Sequence, residues 1–219
     1  MKHKIFLSCY VAVGALNSPV TDHAATLTDI KPAAATSYQL VTANADAVAQ
    51  GAEKFITKLT DDGIGFLGDK TISGDKQKAE FRKLLNRNFD MNTIARFSLG
   101  RHWRTASKPQ RDEYMKLFRA MIIDVYSQRF SDYNGQTIEV KGSRKEGERD
   151  ILVYSVLSQE SGPDVKVDWR VRKREGRYKV IDIIVEGVSM ALTQRSDFSS
   201  VVQRGGGDME ALLVHLRQN

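Results

Sequence analysis

The sequence is poor in the residues from which reactive centres are usually built: one cysteine, Cys9, four histidines and four prolines in 219 residues. Cys9 lies inside an N-terminal apolar run, so a chain that loses this run has no thiol, which excludes disulfides and thiol catalysis in the remainder. His3 and His23 fall in or beside the same segment. That leaves His102 and His215 as the imidazole supply, and no metal or other cofactor is expected. Low proline, 41% apolar and 27% charged residues argue against a disordered, collagenous or low-complexity chain. The length suits one domain with a small appendage.

That appendage is N-terminal. Lys2 and Lys4 precede the apolar stretch Ile5–Leu16, and small residues follow at Ala24 and Ala25. The stretch is too short to span a bilayer, so residues 1–25 read as a cleaved export signal, with Ala24 an equally defensible last residue. Residues 26–38, rich in Ala and Thr, read as a flexible linker. The net charge of +6 stays positive when residues 1–25 are removed. A positive surface favours anionic partners, and in an exported protein anionic lipid or an acidic protein face fits better than nucleic acid.

From residue 39 the pattern is helical. Leu40, Val41, Ala45, Val48, Ala52, Phe55, Ile56 and Leu59 recur at three- and four-residue steps, predicting a helix that ends near Asp61–Gly63. A second helix follows Asp75, and a short third one runs from a cap at Asp90 to Gly100. A fourth is capped by Ser107 with Pro109 in its first turn and Tyr114, Leu117, Phe118, Met121, Ile122, Val125, Tyr126 and Phe130 on its apolar face. The period then changes to two. Thr137–Ser143, Asp150–Ser158, Val165–Lys173 and Arg177–Glu186 read as an antiparallel meander of four strands, with Val165, Val167, Trp169 and Val171 facing one side and Lys166, Asp168, Arg170 and Arg172 the other. Two short helices, about Phe198–Val202 and Met209–Leu216, close the chain. This is an α+β domain, 39–219, with helices on the apolar face of the sheet.

Motifs of chemistry are weak. Gly63-Ile64-Gly65-Phe66-Leu67-Gly68 matches G-x-G-x-x-G, but a helix precedes it where a dinucleotide site needs a strand, so it reads as a mobile connecting loop. Gly187-Val188-Ser189-Met190-Ala191 approaches a nucleophile elbow without its final glycine, and Ser189 reads as a helix cap. Asp168, Asp182 and Glu186 read as a solvated ion-pair face and not as an acid–base set. No catalytic residue emerges. Arg170, Arg172, Lys173, Arg174 and Arg177 form either a charged edge or a docking patch. Phe89, Phe97, Trp103, Phe118, Ile122, Tyr126, Trp169, Val180, Ile183 and Val188 belong to the interior, as packed core or as the wall of a cavity; periodicity does not choose between them.

Phe89-Asp90, Ile94-Ala95, Leu99-Gly100, Trp103, Tyr126, Tyr133, Val167-Asp168-Trp169-Arg170 and, most specifically, Tyr178 through Met190 with Arg195 and Phe198 resemble the MlaC, or toluene-tolerance, family. The resemblance runs from about Leu40 to the C-terminus. It implies a non-enzymatic periplasmic carrier that holds a phospholipid's acyl chains between the helices and a curved sheet and shuttles lipid between the two membranes. The implied partners are an inner-membrane ABC transporter with an MCE-domain subunit and an outer-membrane lipoprotein complex. The implied apolar cavity is lined by the ten residues named above together with Ile94, Leu99, Val167 and Val185. The alternatives are a periplasmic interaction domain with a filled core, or a carrier of hopanoid-type lipid. Gly63–Gly68 and Gly205–Gly207 are the expected flexible points.

Overall fold

A computed structural model describes residues 33–160 and 162–218, with side chains from Asp46 onward. The expected export signal lies outside the described residues, as does most of the expected linker. The last residues of that linker, 33–38, open the first helix.

The elements are α1 Ala33–Gly68, α2 Gly74–Asn88, α3 Met91–Leu99, α4 His102–Thr105, α5 Lys108–Ser127, β1 Thr137–Glu146, β2 Asp150–Ser158, β3 Val165–Arg174, β4 Arg177–Val185, β5 Val188–Ser189, α6 Met190–Arg204 and α7 Met209–Arg217. The strands pair antiparallel in chain order, an open sheet of the expected α+β kind with one short strand more than the pattern showed. That strand exists because Glu186 and Gly187 both take positive φ, 49° and 80°, which folds the end of β4 back on itself in a tight turn.

Two boundaries differ from expectation. α1 runs through the glycine-rich motif to Gly68, so no loop lies there. Gln77 donates from Nε2 to the carbonyls of Phe66 and Leu67, satisfying acceptors that a helix end otherwise exposes. α6 starts at Met190, eight residues earlier than Phe198, because Ser189 Oγ accepts from Leu192 N–H and the Asp182 carboxylate accepts from Ala191 N–H. Half of this cap comes from β4, a tertiary contact invisible to local pattern. The cap expected at Asp90 is present, its carboxylate accepting from Thr93 N–H, and Ser107 with Gln110 forms a full capping box.

Burial divides the interior in two. One core joins α3, α5, α6 and α7 around Leu99, Tyr114, Phe118, Phe198, Val202, Leu212 and Leu213. Its aromatic rings meet edge-on or tilted at 5.7–6.2 Å. The other packs Ala52, Ile56 and Leu59 of α1 and Leu84 of α2 on Ile151, Val153, Val167, Trp169, Val171 and Val180 of the sheet. Gly51 lets α1 come this close: a Cβ there would collide with the Tyr178 hydroxyl, which donates to the Val48 carbonyl at 2.9 Å. Within the sheet, Trp169 Nε1 donates to Ser155 Oγ at 3.0 Å, and Ser155 Oγ donates to the Val167 carbonyl at 2.5 Å, so the indole's polar end is satisfied in an apolar layer.

Tyr114 gives a pH test of the first core. It is fully buried, its hydroxyl donates to the Ala95 carbonyl at 2.9 Å, and burial pushes its pKa far above the ordinary value. The unfolded chain therefore releases this proton first, near pH 10, and above that pH the folded state holds more protons than the unfolded one. Stability should fall by about 1.4 kcal/mol per pH unit from this group. Denaturant titrations at stepped alkaline pH should show this slope, and Tyr114→Phe should flatten it while lowering stability at neutral pH by about 1 kcal/mol.

Candidate functional site

The two cores meet at Phe89. This ring packs against both, and the chain at that point is tied to the sheet by the bridge between Phe89 and Val180 and by Asp90 N–H donating to the Val180 carbonyl at 2.9 Å. Away from this tie the apolar side chains are only partly covered. Ile94, Met121 and Ile122 lean on the helical core, and Ile138, Leu157, Val165 and Ile183 lean on the sheet core. A row of aromatic rings joins the end of α5 to α2 and α1: Tyr126 to Phe81 at 6.4 Å, Phe81 to Phe130 at 5.3 Å, and Phe130 to Phe66 at 6.0 Å. Tyr126 is 42% exposed, yet loss of water raises its hydroxyl pKa. The seam between the cores is the partly covered apolar margin that flanks Phe89.

The residues expected to line a cavity do not gather around one hollow. Leu99, Phe118, Val167, Trp169 and Val180 are enclosed core residues, the first two among the helices and the last three in the sheet. Phe89, Ile94, Ile122 and Ile183 stand at the margins of the cores, on or beside the seam, and Val185 is half-buried near the end of β4. Phe97 and Val188 are exposed. Trp103 lies between the guanidinium groups of Arg96 and Arg111, 5.1 and 5.4 Å from its ring. Two grooves of about 470 Å³ each are present, one along α6 and one between α1 and β1, both open to solvent. Neither touches any of the fourteen expected lining residues. Phe66, Phe81 and Phe130 of the aromatic row were legible as apolar positions but carried no sign of meeting one another.

The polar motifs have structural occupations. Ser189 Oγ donates to Asp182 Oδ2 at 2.6 Å while accepting from Leu192 N–H, so its hydroxyl is spent on the helix cap. Glu186 accepts from Lys166 N–H at 2.5 Å. Asp168 is pushed up by burial, against the pull of Lys166 and Arg144. In the expected basic cluster, Arg172 binds Asp150 through two hydrogen bonds of 2.6 and 3.0 Å, Arg170 faces Glu146 at 3.6 Å, Arg177 faces Glu175 at 3.7 Å, and the Lys173 ammonium covers the Tyr178 ring. Arg170, Arg172 and Arg177 of that cluster are thus paired, and Lys173 lies over a ring. No described helix is long and apolar enough to cross a membrane.

Against this geometry the comparisons with known proteins are specific. The family model described as MlaC protein matches residues 58–218. This chain belongs to the MlaC family. Within that family it is 24% identical over 125 residues to the intermembrane phospholipid transport system binding protein MlaC of Haemophilus influenzae, a match covering 55% of this chain and 58% of that one. It is 23% identical over 107 residues to the toluene tolerance protein ttg2D of Pseudomonas putida, covering 49% and 50%. The chain therefore spans little more than half the length of the curated relatives it matches. A solved phospholipid-binding protein from Ralstonia solanacearum, in complex with a phospholipid, shares the fold with a TM-score of 0.65 at 24% identity over 76% of this chain and 95% of that one.

Ser189→Ala separates the cap from a nucleophile. The cap reading predicts a loss of about 1 kcal/mol in denaturant unfolding and, with chromogenic ester substrates, the same background hydrolysis before and after the substitution.

Proposed function

We propose that this protein is a periplasmic carrier of phospholipid that takes acyl chains into the seam between its two cores and moves lipid between the inner and outer membranes, without catalysing a reaction. The observation that carries the reading is the row of partly covered apolar side chains at the margins of two otherwise closed cores. Such a row is costly to leave facing water, and an inserted chain would cover it. Family membership supports the same reading, and so does the fold shared with a phospholipid-bound protein. The energetic need is plain. Each methylene withdrawn from water is worth about 0.8 kcal/mol, so two tails of roughly fifteen carbons resist transfer through water by an amount on the order of 20 kcal/mol. In this reading residues 1–25 direct export and are removed, residues 26–38, of which 33–38 open α1, link that segment to the domain, and 39–219 carries lipid. The partners are an inner-membrane ABC transporter with an MCE-domain subunit and an outer-membrane lipoprotein complex.

Neither open groove is apolar enough for this cargo. Two tails need a dry space near the upper end of ordinary ligand sites, roughly 1,000 Å³. The space therefore comes from parting the cores along the seam, with Phe89 as the fixed side. Mass spectrometry of an organic extract of the exported protein should find phospholipid at close to one molecule per chain. Ile122→Glu, which places a charge at the seam and leaves both core centres intact, should reduce the extracted lipid at least tenfold with folding retained by circular dichroism. Protein that yields no lipid, and takes none up from detergent-dispersed phospholipid, would instead be an interaction domain with a filled core.

A further inference from the structure

Of the cations that the sequence pattern singled out, Arg170, Arg172 and Arg177 are paired with carboxylates. A second set of cations lies elsewhere. From Met91 to Arg111 the chain holds Arg96, Arg101, Arg104, Lys108 and Arg111 and no aspartate or glutamate. Lys108 pairs with Asp112 at 2.6 Å, and an Arg111 terminal nitrogen donates to the Arg104 carbonyl at 3.2 Å. Arg96, Arg101, Arg104 and, across on α6, Arg195 bind no carboxylate among the described residues. All four are exposed. Printed on one continuous surface by their contacts, they surround rings: Arg96 and Arg111 flank Trp103, and the Arg195 guanidinium lies 5.5 Å from the centre of Phe97 and against Gly100. Phe97 is 43% exposed and Leu192 is 55% exposed. Leu192 and Arg195 share the open groove on α6 with Ser196, Ser199, Ser200 and Gln203, so this trough offers a guanidinium, hydroxyls and an amide and has no acid in its lining.

We propose that this surface, formed by the end of α3, α4, the start of α5 and the first turns of α6, seats the protein on the surface of an anionic phospholipid bilayer. Unpaired arginines meet phosphate oxygens, for which their planar donor fork is suited. Phe97, Leu192 and the Trp103 indole enter the interfacial layer just beneath, where amphipathic rings settle. An acidic protein face would answer the charges alone, whereas a bilayer supplies phosphate and an apolar margin at adjacent depths. The proposal does not depend on which lipid the seam carries, or on whether it carries any.

Co-sedimentation of the full chain with vesicles tests it. Vesicles of phosphatidylcholine mixed with phosphatidylglycerol should bind the protein and those of phosphatidylcholine alone should not. Binding should weaken as salt is raised through the physiological range, where the screening length falls below about 10 Å. Arg101→Glu with Arg104→Glu, two exposed positions, should lower the partition coefficient at least about tenfold, in keeping with the contribution of each basic residue near an anionic surface. Arg101→Lys with Arg104→Lys should retain most of it, Phe97→Ser should weaken it, and Lys54→Glu with Lys70→Glu, exposed on other elements, should leave it unchanged. Equal binding to both vesicle types, or an undiminished partition in the arginine-to-glutamate variant, overturns the proposal. So does an arginine-dependent affinity for a poly-glutamate peptide in protein that ignores anionic vesicles, since that would make the surface a protein site.

Discussion

Everything in this fold depends on the hydrophobic interior being split and then joined at one ring. Apolar burial drives both halves: helices α3, α5, α6 and α7 close around Tyr114, Phe118 and Phe198, while α1 and Leu84 close over Val153, Trp169, Val171 and Val180. Neither half encloses the residues at its margin. Phe89 touches both, and the backbone next to it is pinned to Val180. A domain with one continuous core resists insertion because its packing resembles a crystal. A domain with two cores, tied at Phe89 and at the start of α6, has a line along which it parts with less loss of contact.

The polar arrangements serve to hold each half rigid. The Trp169–Ser155–Val167 chain fixes the sheet interior, Arg172 and Asp150 lock β2 to β3, and Asp182 with Ser189 anchors the start of α6 to β4. The Tyr178 hydroxyl ties α1 to the sheet at Val48. These ties lie within the sheet or between it and one helix. Across the row from Tyr126 to Phe66 the rings meet one another, and the same helices are also tied by Lys78 to Asp124 and by Gln77 to the carbonyls of Phe66 and Leu67.

Much of this was legible in the sequence, and the failures have physical causes. The period-two runs mark the four long strands and the inward face of β3, and Asp90 and Ser107 mark helix starts because their side chains cap locally. The start of α6 was placed late because Asp182, in a strand, supplies part of its cap. The end of α1 was placed early because glycines at 63, 65 and 68 lower helix propensity, and the compensation from Gln77 comes from the next helix. The seam was only partly legible. Ile122, Tyr126 and Ile183 have the same periodic signature as Phe118 and Val180, and periodicity records which way a side chain points and not whether anything meets it there. The family resemblance supplied the expectation of a hollow; the structure places its expected lining in the two cores, at their margins and, for Phe97 and Val188, on the surface.

The most direct test of a parting seam is hydrogen exchange of the protein, stripped of lipid and reloaded with phospholipid, read at peptide resolution by mass spectrometry. The account predicts added protection on loading in peptides that carry Phe81, Ile94, Ile122 to Tyr126 and Ile183 to Val185, and unchanged exchange in those covering Val202 to Leu216 and Val167 to Val171. Uniform protection across the chain, or none at the seam despite bound lipid, would contradict it.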